Sequence, residues 1–367
     1  MLQTRRILCL IHLEADEHPA LTQALMMAEA CRARLYVAPH PSPSESLEGQ
    51  PGVPTASRFG LSTGGPRSRE AVSSPAQRDV VPHSVSTPSP NDRLRDIVGE
   101  WTSRAPMPLQ DVTIVDDRRL PTRAIPSVEA LIDYTGEASI DLVVLDTPPD
   151  RGPIPPLASE PTRQLVTDLS VPVFVVGHRT VQADNTPASA TAAPPTPRRI
   201  LVPTDLSENS LSSLCHAEAL AQDLGAELDV LHVINRPQYV ALNAMDMLSL
   251  SDATLLERKA RRRVEDQLKQ SGGSSVSKIH IRHGDAATQI VQFASIHESD
   301  LVVMSTHGTI HRAHAPLGHV VERVLHRIAR PVFLTRADGP TLVDLPASRS
   351  DGASSTPPSV SARPSME

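Results

Sequence analysis

Short apolar runs alternate along this chain with longer segments in which apolar residues return every three or four positions. The alternation is clearest in the C-terminal half. Arg199 to Pro203 is an apolar run ending at a turn. Ser207 is placed to cap a helix, Leu211, Leu214, Ala217, Ala221 and Leu224 follow at helical spacing, and Gly225 stops it. Leu228 to Ile234 predicts a second strand, and residues 252–270 a charged amphipathic helix ended by Gly272 and Gly273. Val276 to Arg282 predicts a third strand, after which Asp285 caps a helix carrying Ile290, Val291 and Ala294. A fourth strand covers Leu301 to Met304, a helix carries Val321, Val324, Leu325 and Ile328, and the last strand covers Pro331 to Thr335. Strands that are apolar throughout and alternate with helices predict a parallel sheet covered on both faces.

The same order recurs upstream, with strands expected at 6–12, 34–38, 111–116, 141–146 and 172–177. Arg5-Arg6-Ile7-Leu8 matches Arg198-Arg199-Ile200-Leu201 at an offset of 193. Asp141-Leu142-Val143-Val144 matches Asp300-Leu301-Val302-Val303, and Pro172-Val173-Phe174 matches Pro331-Val332-Phe333, both at 159. The shorter offset gives the first copy 34 additional residues. A tandem duplication is expected: two doubly wound α/β domains, each a five-stranded parallel sheet flanked by helices in the Rossmann-like manner.

Composition explains the added length. The 367 residues include 35 prolines, about twice the usual share, and they cluster at 39–90, 179–197 and from Asp338 onward. Stretches rich in Pro, Ser and Gly bury too little apolar surface to offset backbone ordering. The expected division is therefore a domain at 1–178 with a disordered insert at 39–90, a linker at 179–197, a domain at 198–336, and a disordered tail at 337–367. A net charge of −7 argues against a nucleic-acid partner. No run is long and apolar enough to span a bilayer, so no membrane partner is expected. Arg5-Arg6 and the apolar run after them lack a cleavage site, and Glu14, Asp16 and Glu17 follow, so a buried strand is the better account than a targeting signal. Three cysteines, Cys9, Cys31 and Cys215, have no paired spacing and point to reduced thiols in a cytoplasm.

An open parallel sheet binds ligands outside the carboxyl ends of its strands, where strand order reverses. In the second copy those ends carry Pro203-Thr204-Asp205, Val233-Ile234-Asn235 and Met304-Ser305-Thr306-His307-Gly308. The last leads through nine residues, Thr309 to Leu317, to Gly318-His319 at a helix start. Helix starts favour phosphate, and glycine lets backbone approach it. With His283-Gly284-Asp285 and Val321-Glu322-Arg323-Val324, these residues resemble the universal stress protein family across 198–336. Its nucleotide-binding members carry Gly, two residues, Gly, nine residues, then Gly followed by Ser or Thr. The resemblance implies ATP or a related nucleotide, accompanied by magnesium if by any metal. It places Asp205 and the Pro203-Thr204 turn against the adenosine and Val233 near the adenine. Gly308, Gly318, His319 and Val320 would hold phosphates, with Met304, Ser305 and His307 leading into the loop. Two departures stand out: Ser305 replaces the first glycine and His319 the hydroxyl residue.

In the first copy, Asp146-Thr147-Pro148-Pro149-Asp150-Arg151-Gly152 has lost the pattern. Its prolines lack N–H donors and Asp146 and Asp150 would repel phosphate, so no nucleotide is expected there. Family domains associate through their last strands, which implies pairing of Pro172–Val176 with Pro331–Thr335 as an internal pseudo-dimer, or a homo-oligomer. His307, His311, His314, His319 and His326 crowd one region without carboxylate or thiol ligands apart from Glu322, so facing solvent or phosphate is favoured over a metal. The run Arg258-Lys259-Ala260-Arg261-Arg262-Arg263 lies among Glu257, Glu265 and Asp266 and reads as a solvated helix face. Cys215 reads as a buried thiol. No catalytic set stands out. The function expected is a stress-related regulatory or binding protein, with a nucleotide-free interaction scaffold as the competing class and a slow nucleotide hydrolase third.

Overall fold

A computed structural model describes residues 2–15, 18–41, 89–104, 112–115, 126–146, 159–176, 196–235, 250–272, 276–308, 317–336 and 339–343. The first half contains β1 (Arg6–Ile11), α1 (Pro19–Cys31), β2 (Arg34–Pro39), α2 (Pro90–Arg104), β3 (Val112–Ile114), α3 (Val128–Glu137), β4 (Leu142–Asp146), α4 (Glu160–Asp168) and β5 (Val173–Val176). The second contains β6 (Arg199–Thr204), α5 (Glu208–Leu224), β7 (Glu227–Ile234), α6 (Leu250–Ser271), β8 (Val276–His283), α7 (Ala286–Ile296), β9 (Leu301–Ser305), α8 (His319–Leu325) and β10 (Val332–Thr335). The predicted punctuation is in place. Ser207 and Asp285 accept the N–H groups of Ser210 and Thr288 as helix caps, and Gly225 ends α5 at φ 67°, the left-handed region glycine enters freely. The last helix is shorter than expected: α8 stops at Leu325, and Ile328 is buried beyond it.

Among the described residues ten strands form one sheet in the order β3-β2-β1-β4-β5-β10-β9-β6-β7-β8. Each half is a parallel five-stranded sheet whose order reverses between its first and fourth strands. β4 and β9 are buried along their whole length, as strands covered on both faces must be. Two apolar layers sandwich the sheet: one holds Ile7, Cys9, Ile200, Val202 and α1 and α5, the other Leu8, Leu10, Leu201, Val302 and α7.

The halves join where the last strands were expected to meet. β5 and β10 pair antiparallel, Val332 opposite Val175, Phe333 opposite Phe174 and Leu334 opposite Val173. Two of the four phenylalanines, Phe174 and Phe333, meet edge to face there with ring centres 6.0 Å apart. Arg336 then crosses into the first half, donating to the carbonyls of Val166, Thr167 and Val171 at 2.6, 3.3 and 3.1 Å. Two of these carbonyls belong to the last turn of α4, where no intrahelical donor remains. Burial pulls the Arg336 guanidinium down to about 10.

Residues 42–88, 177–195 and 344–367, most of the expected insert, linker and tail, lie outside the described residues. The described ends belong to the fold. Pro39 closes β2 and Pro90 opens α2. Leu342, assigned to the tail, is buried; its carbonyl accepts the Gln3 N–H at 2.7 Å and its N–H donates to His216 Nε2 at 3.0 Å. Cys215 is buried as expected, and burial with nearby Glu218 pushes its thiol up to about 11.

Phe333→Ala removes a fully buried ring from the seam, so it should cost about 3–5 kcal/mol in urea unfolding. A change under 1 kcal/mol would mean the seam does not carry the fold.

Candidate functional site

The carboxyl ends of β6 and β9 lie side by side at the reversal of strand order, and the chain after each turns sharply. Asp205 leaves β6 exposed, and its Oδ1 accepts the Ser207 N–H at 3.1 Å and the Ser207 hydroxyl at 2.6 Å. The turn puts Leu206 at φ 67°, an uncommon conformation for a bulky side chain, of the kind that gathers at functional sites. Thr204 supports it from beneath: its hydroxyl receives the Leu206 N–H at 3.0 Å and approaches Gln267 Oε1 at 2.6 Å. Gln267 Nε2 in turn donates to the Ser207 carbonyl at 3.1 Å and to Ser210 at 3.2 Å. Thr204 therefore faces α5 and α6 as a buttress, whereas the sequence placed it against a ligand.

Across the gap, Gly308 approaches the Asp205 carboxylate so closely that a Cβ on residue 308 would overlap Asp205 Oδ2. Gly318 is also tight: a Cβ there would lie 3.1 Å from the Thr306 carbonyl oxygen, to which the Gly318 N–H already donates at 2.8 Å. That N–H, assigned by sequence to a phosphate, instead closes the loop on its own strand. The backbones of His319 and Val320 follow at the start of α8. Arg323 of α8 forks onto Asp285 with contacts of 2.6 and 2.8 Å, fixing α8 against α7. The Arg323 fork and Thr288 hold the Asp285 carboxyl well below the usual carboxylate range.

Met304 and Leu317 are buried in the apolar layer, with Val233 and Val320 half-buried against it. Pro203 is also half-buried. Ser305 is 9% exposed, and its hydroxyl receives the His307 N–H at 3.3 Å, so the serine in the first glycine's place is spent locally. His319 is exposed and His307 half-buried, while His311 and His314 lie outside the described residues. Among the described residues no three His, Cys, Asp or Glu side chains converge as a metal site would require. A cleft of about 210 Å³ opens between the start of α5 and α6, lined by Leu206, Ser207, Glu208 and Arg263 among others. It contains none of the residues the sequence selected.

The equivalent place in the first half is filled by side chains that sequence reasoning missed. The β1–β2 and β6–β7 registers superpose Arg34 on Glu227, which sets His12 at the place of Asp205 and His40 at that of Val233. Their rings lie 4.1 Å apart. His40 is buried, with Nδ1 2.9 Å from the Pro41 carbonyl and Nε2 3.3 Å from the Thr162 hydroxyl. Ser159 stands where the second half has Gly318 and caps α4. Asp146, in the place of Ser305, is fully buried and accepts the Ala20 N–H of α1 at 2.8 Å. Burial pushes its carboxyl well above the usual range, so it caps α1 rather than, as the sequence implied, repelling phosphate as a charge. Pro148, Pro149 and Asp150 lie outside the described residues. The repeat offset carries this signal: past the strands, it lays His12 on Asp205 and His40 on Val233.

The universal stress protein family model matches residues 196–336. A universal stress protein of Methanocaldococcus jannaschii is 32% identical over 143 residues, covering 38% of this chain and 82% of the relative. A universal stress protein structure from Archaeoglobus fulgidus aligns with a TM-score of 0.53 at 15% identity, over 91% of this chain and 97% of that one. A functionally unknown protein of Pseudomonas aeruginosa aligns with a TM-score of 0.53 at 17% identity, over 91% and 92%. At such identities the structural likeness speaks for the fold alone.

Burial, then the charge of neighbouring His12, pushes His40 down to about 3, with the Pro41 carbonyl opposing. The unfolded chain therefore takes up a proton near pH 6.5 that the folded chain refuses, so stability is full above that pH and falls towards pH 3. His40→Gln should flatten this acid limb by about 1.4 kcal/mol per pH unit, read from urea unfolding at a series of pH values. An unchanged slope would show that His40 is not buried neutral.

Proposed function

The chain belongs to the universal stress protein family, and from that premise we propose that it is a stress-response regulatory protein binding ATP or a related nucleotide in its second half. The observation that carries the reading is the approach of the Asp205 carboxylate to Gly308 at the reversal of strand order. The carboxylate of one loop reaches the backbone of the other there, where residue 308 has no side chain to push it aside. A base would lie on Val233 and Met304, with the ribose hydroxyls donating to Asp205. Phosphates would lie towards Gly308 and the backbone N–H groups of His319 and Val320, with the exposed His319 imidazole beside them. Magnesium would be held by the phosphates themselves, since the described residues offer no carboxylate pair there. The function proposed is binding that sets a conformational state, with no catalytic base assigned. The proposed division of the chain is a nucleotide domain at 198–336 and a first domain at 1–178 whose strand ends are closed by His12, His40 and Thr162. Pairing through β5 and β10 makes the two domains an internal pseudo-dimer.

One observation favours the competing reading, a scaffold that works without nucleotide. The Gly318 N–H, the Ser305 hydroxyl and Asp205 Oδ1 all have partners within their own loops. A ligand must displace some of these bonds or bind around them.

Titration of ATP into protein freed of small molecules by denaturation and refolding separates the two. Saturable binding abolished by Gly318→Val supports the nucleotide reading, and absence of binding at millimolar ATP overturns it. Ser305→Gly combined with His319→Ser should tighten binding by about tenfold, the worth of one net hydrogen bond. No change would place the phosphates elsewhere.

A further inference from the structure

We propose that the outer face of α6 is a docking surface for an anionic lipid bilayer. Within α6, Arg258, Lys259, Arg261, Arg262 and Arg263 are all exposed. Arg261 spends one N–H on the Ile279 carbonyl at 3.3 Å. The other four have no ion-pair partner among the described residues. By contrast, Arg163 of α4 and Lys269 at the far end of α6 lie 2.7 and 2.9 Å from a carboxylate three residues away. Two acids of α6 are engaged, Glu257 with His283 at 2.8 Å and Asp266 with Lys269, and Glu265 offsets one of the five positive charges. The patch is thus a net positive surface on a chain whose overall charge is −7.

Two leucines share that surface. Leu255 and Leu256 are 49% and 46% exposed, and they are two of the three large exposed apolar residues among those described. A helix of 3.6 residues per turn sets Leu255 in line with Lys259 and Arg262, and Leu256 in line with Lys259 and Arg263. The opposite face, with Ala260, Val264 and Leu268, packs into the protein. Cations and leucines therefore reach an approaching partner together.

An anionic bilayer satisfies both. Headgroup phosphates and carboxylates accept the guanidinium groups, while the leucine side chains enter the headgroup–acyl boundary. A nucleic-acid backbone would satisfy only the cations, and α6 offers no aromatic ring on which bases could stack. The protein's distant negative charges do not oppose docking, because physiological salt screens them beyond about 8 Å. Binding through one such patch is reversible, so the face acts as a recruitment surface.

The test uses the full chain in co-sedimentation with vesicles of phosphatidylcholine alone and with about a third phosphatidylserine. Binding to the anionic vesicles only is expected, lost when salt rises from about 0.1 to about 1 M. Arg258→Glu with Arg262→Glu should weaken it at least about tenfold, and Leu255→Ser with Leu256→Ser should weaken it separately. The same charge change at exposed Arg32 and Arg34 should leave binding unchanged, and all variants should unfold at the wild-type midpoint because the side chains are exposed. No binding to anionic vesicles at low salt overturns the proposal, as does equal loss from the Arg32 and Arg34 variant. Displacement from the vesicles by duplex DNA at lower charge concentration than the lipid would assign the face to nucleic acid instead.

Discussion

The antiparallel pairing of β5 with β10 is the contact on which the rest of the molecule depends. Each half-sheet alone would end in an unpaired strand of apolar residues, Val173 to Val176 or Val332 to Thr335, an edge that invites association. Pairing them removes both edges, leaving β3 and β8 as the ends of a ten-stranded sheet. The Arg336 cap on α4 and the anchorage of Leu342 beside Gln3 and His216 exist only because the halves are held in this register. The hand of the pairing matters as well. Because β5 and β10 run in opposite directions, the strand ends of the two halves open at opposite edges of the sheet. Each potential site is therefore built entirely from its own half.

That independence lets one framework carry two different strand ends. The second half brings the Asp205 carboxylate onto Gly308, with Met304 and Val233 on the neighbouring strands β9 and β7. The first half places a pair of imidazoles where those two loops would receive a ligand, links one of them to Thr162, and seats Asp146 as a helix cap. In the function proposed, one half keeps a ligand site and the other fills the equivalent place with packed side chains. The buried neutral histidine bonds to Pro41 and Thr162, whereas Asp146 bonds to Ala20 through Oδ1 and leaves Oδ2 without a partner, so its carboxyl is held largely protonated.

Much of this was legible in the residues. Strand and helix order followed from apolar runs, periodicity and caps, and the likeness of the two halves from three matched tetra- and tripeptides. The family match and the fold agree with the resemblance those residues carried. Less legible was which polar groups would spend themselves on local bonds. Nothing in Thr204 as a residue type says that its hydroxyl turns towards Gln267, 63 positions away. Nor does Gly318 announce that its N–H returns to Thr306. Such choices depend on how α6 and α8 pack, which the periodicity of either helix leaves open. Arg336 was likewise unreadable, since a lone arginine after a strand gains its role only from carbonyls about 170 residues earlier. The His12–His40 pair was readable in principle, because the repeat offsets lay it over Asp205 and Val233.

The central claim is that the two strand ends differ, one open to a nucleotide and one closed by its own side chains. Amide hydrogen exchange of the full chain, with and without saturating ATP, tests it most directly. The account predicts slower exchange at residues 204–206, 305–308 and 318–321 and no change at 12–15, 40 or 159–163. Equal slowing at the first-half residues, or slowing confined to them, would contradict it.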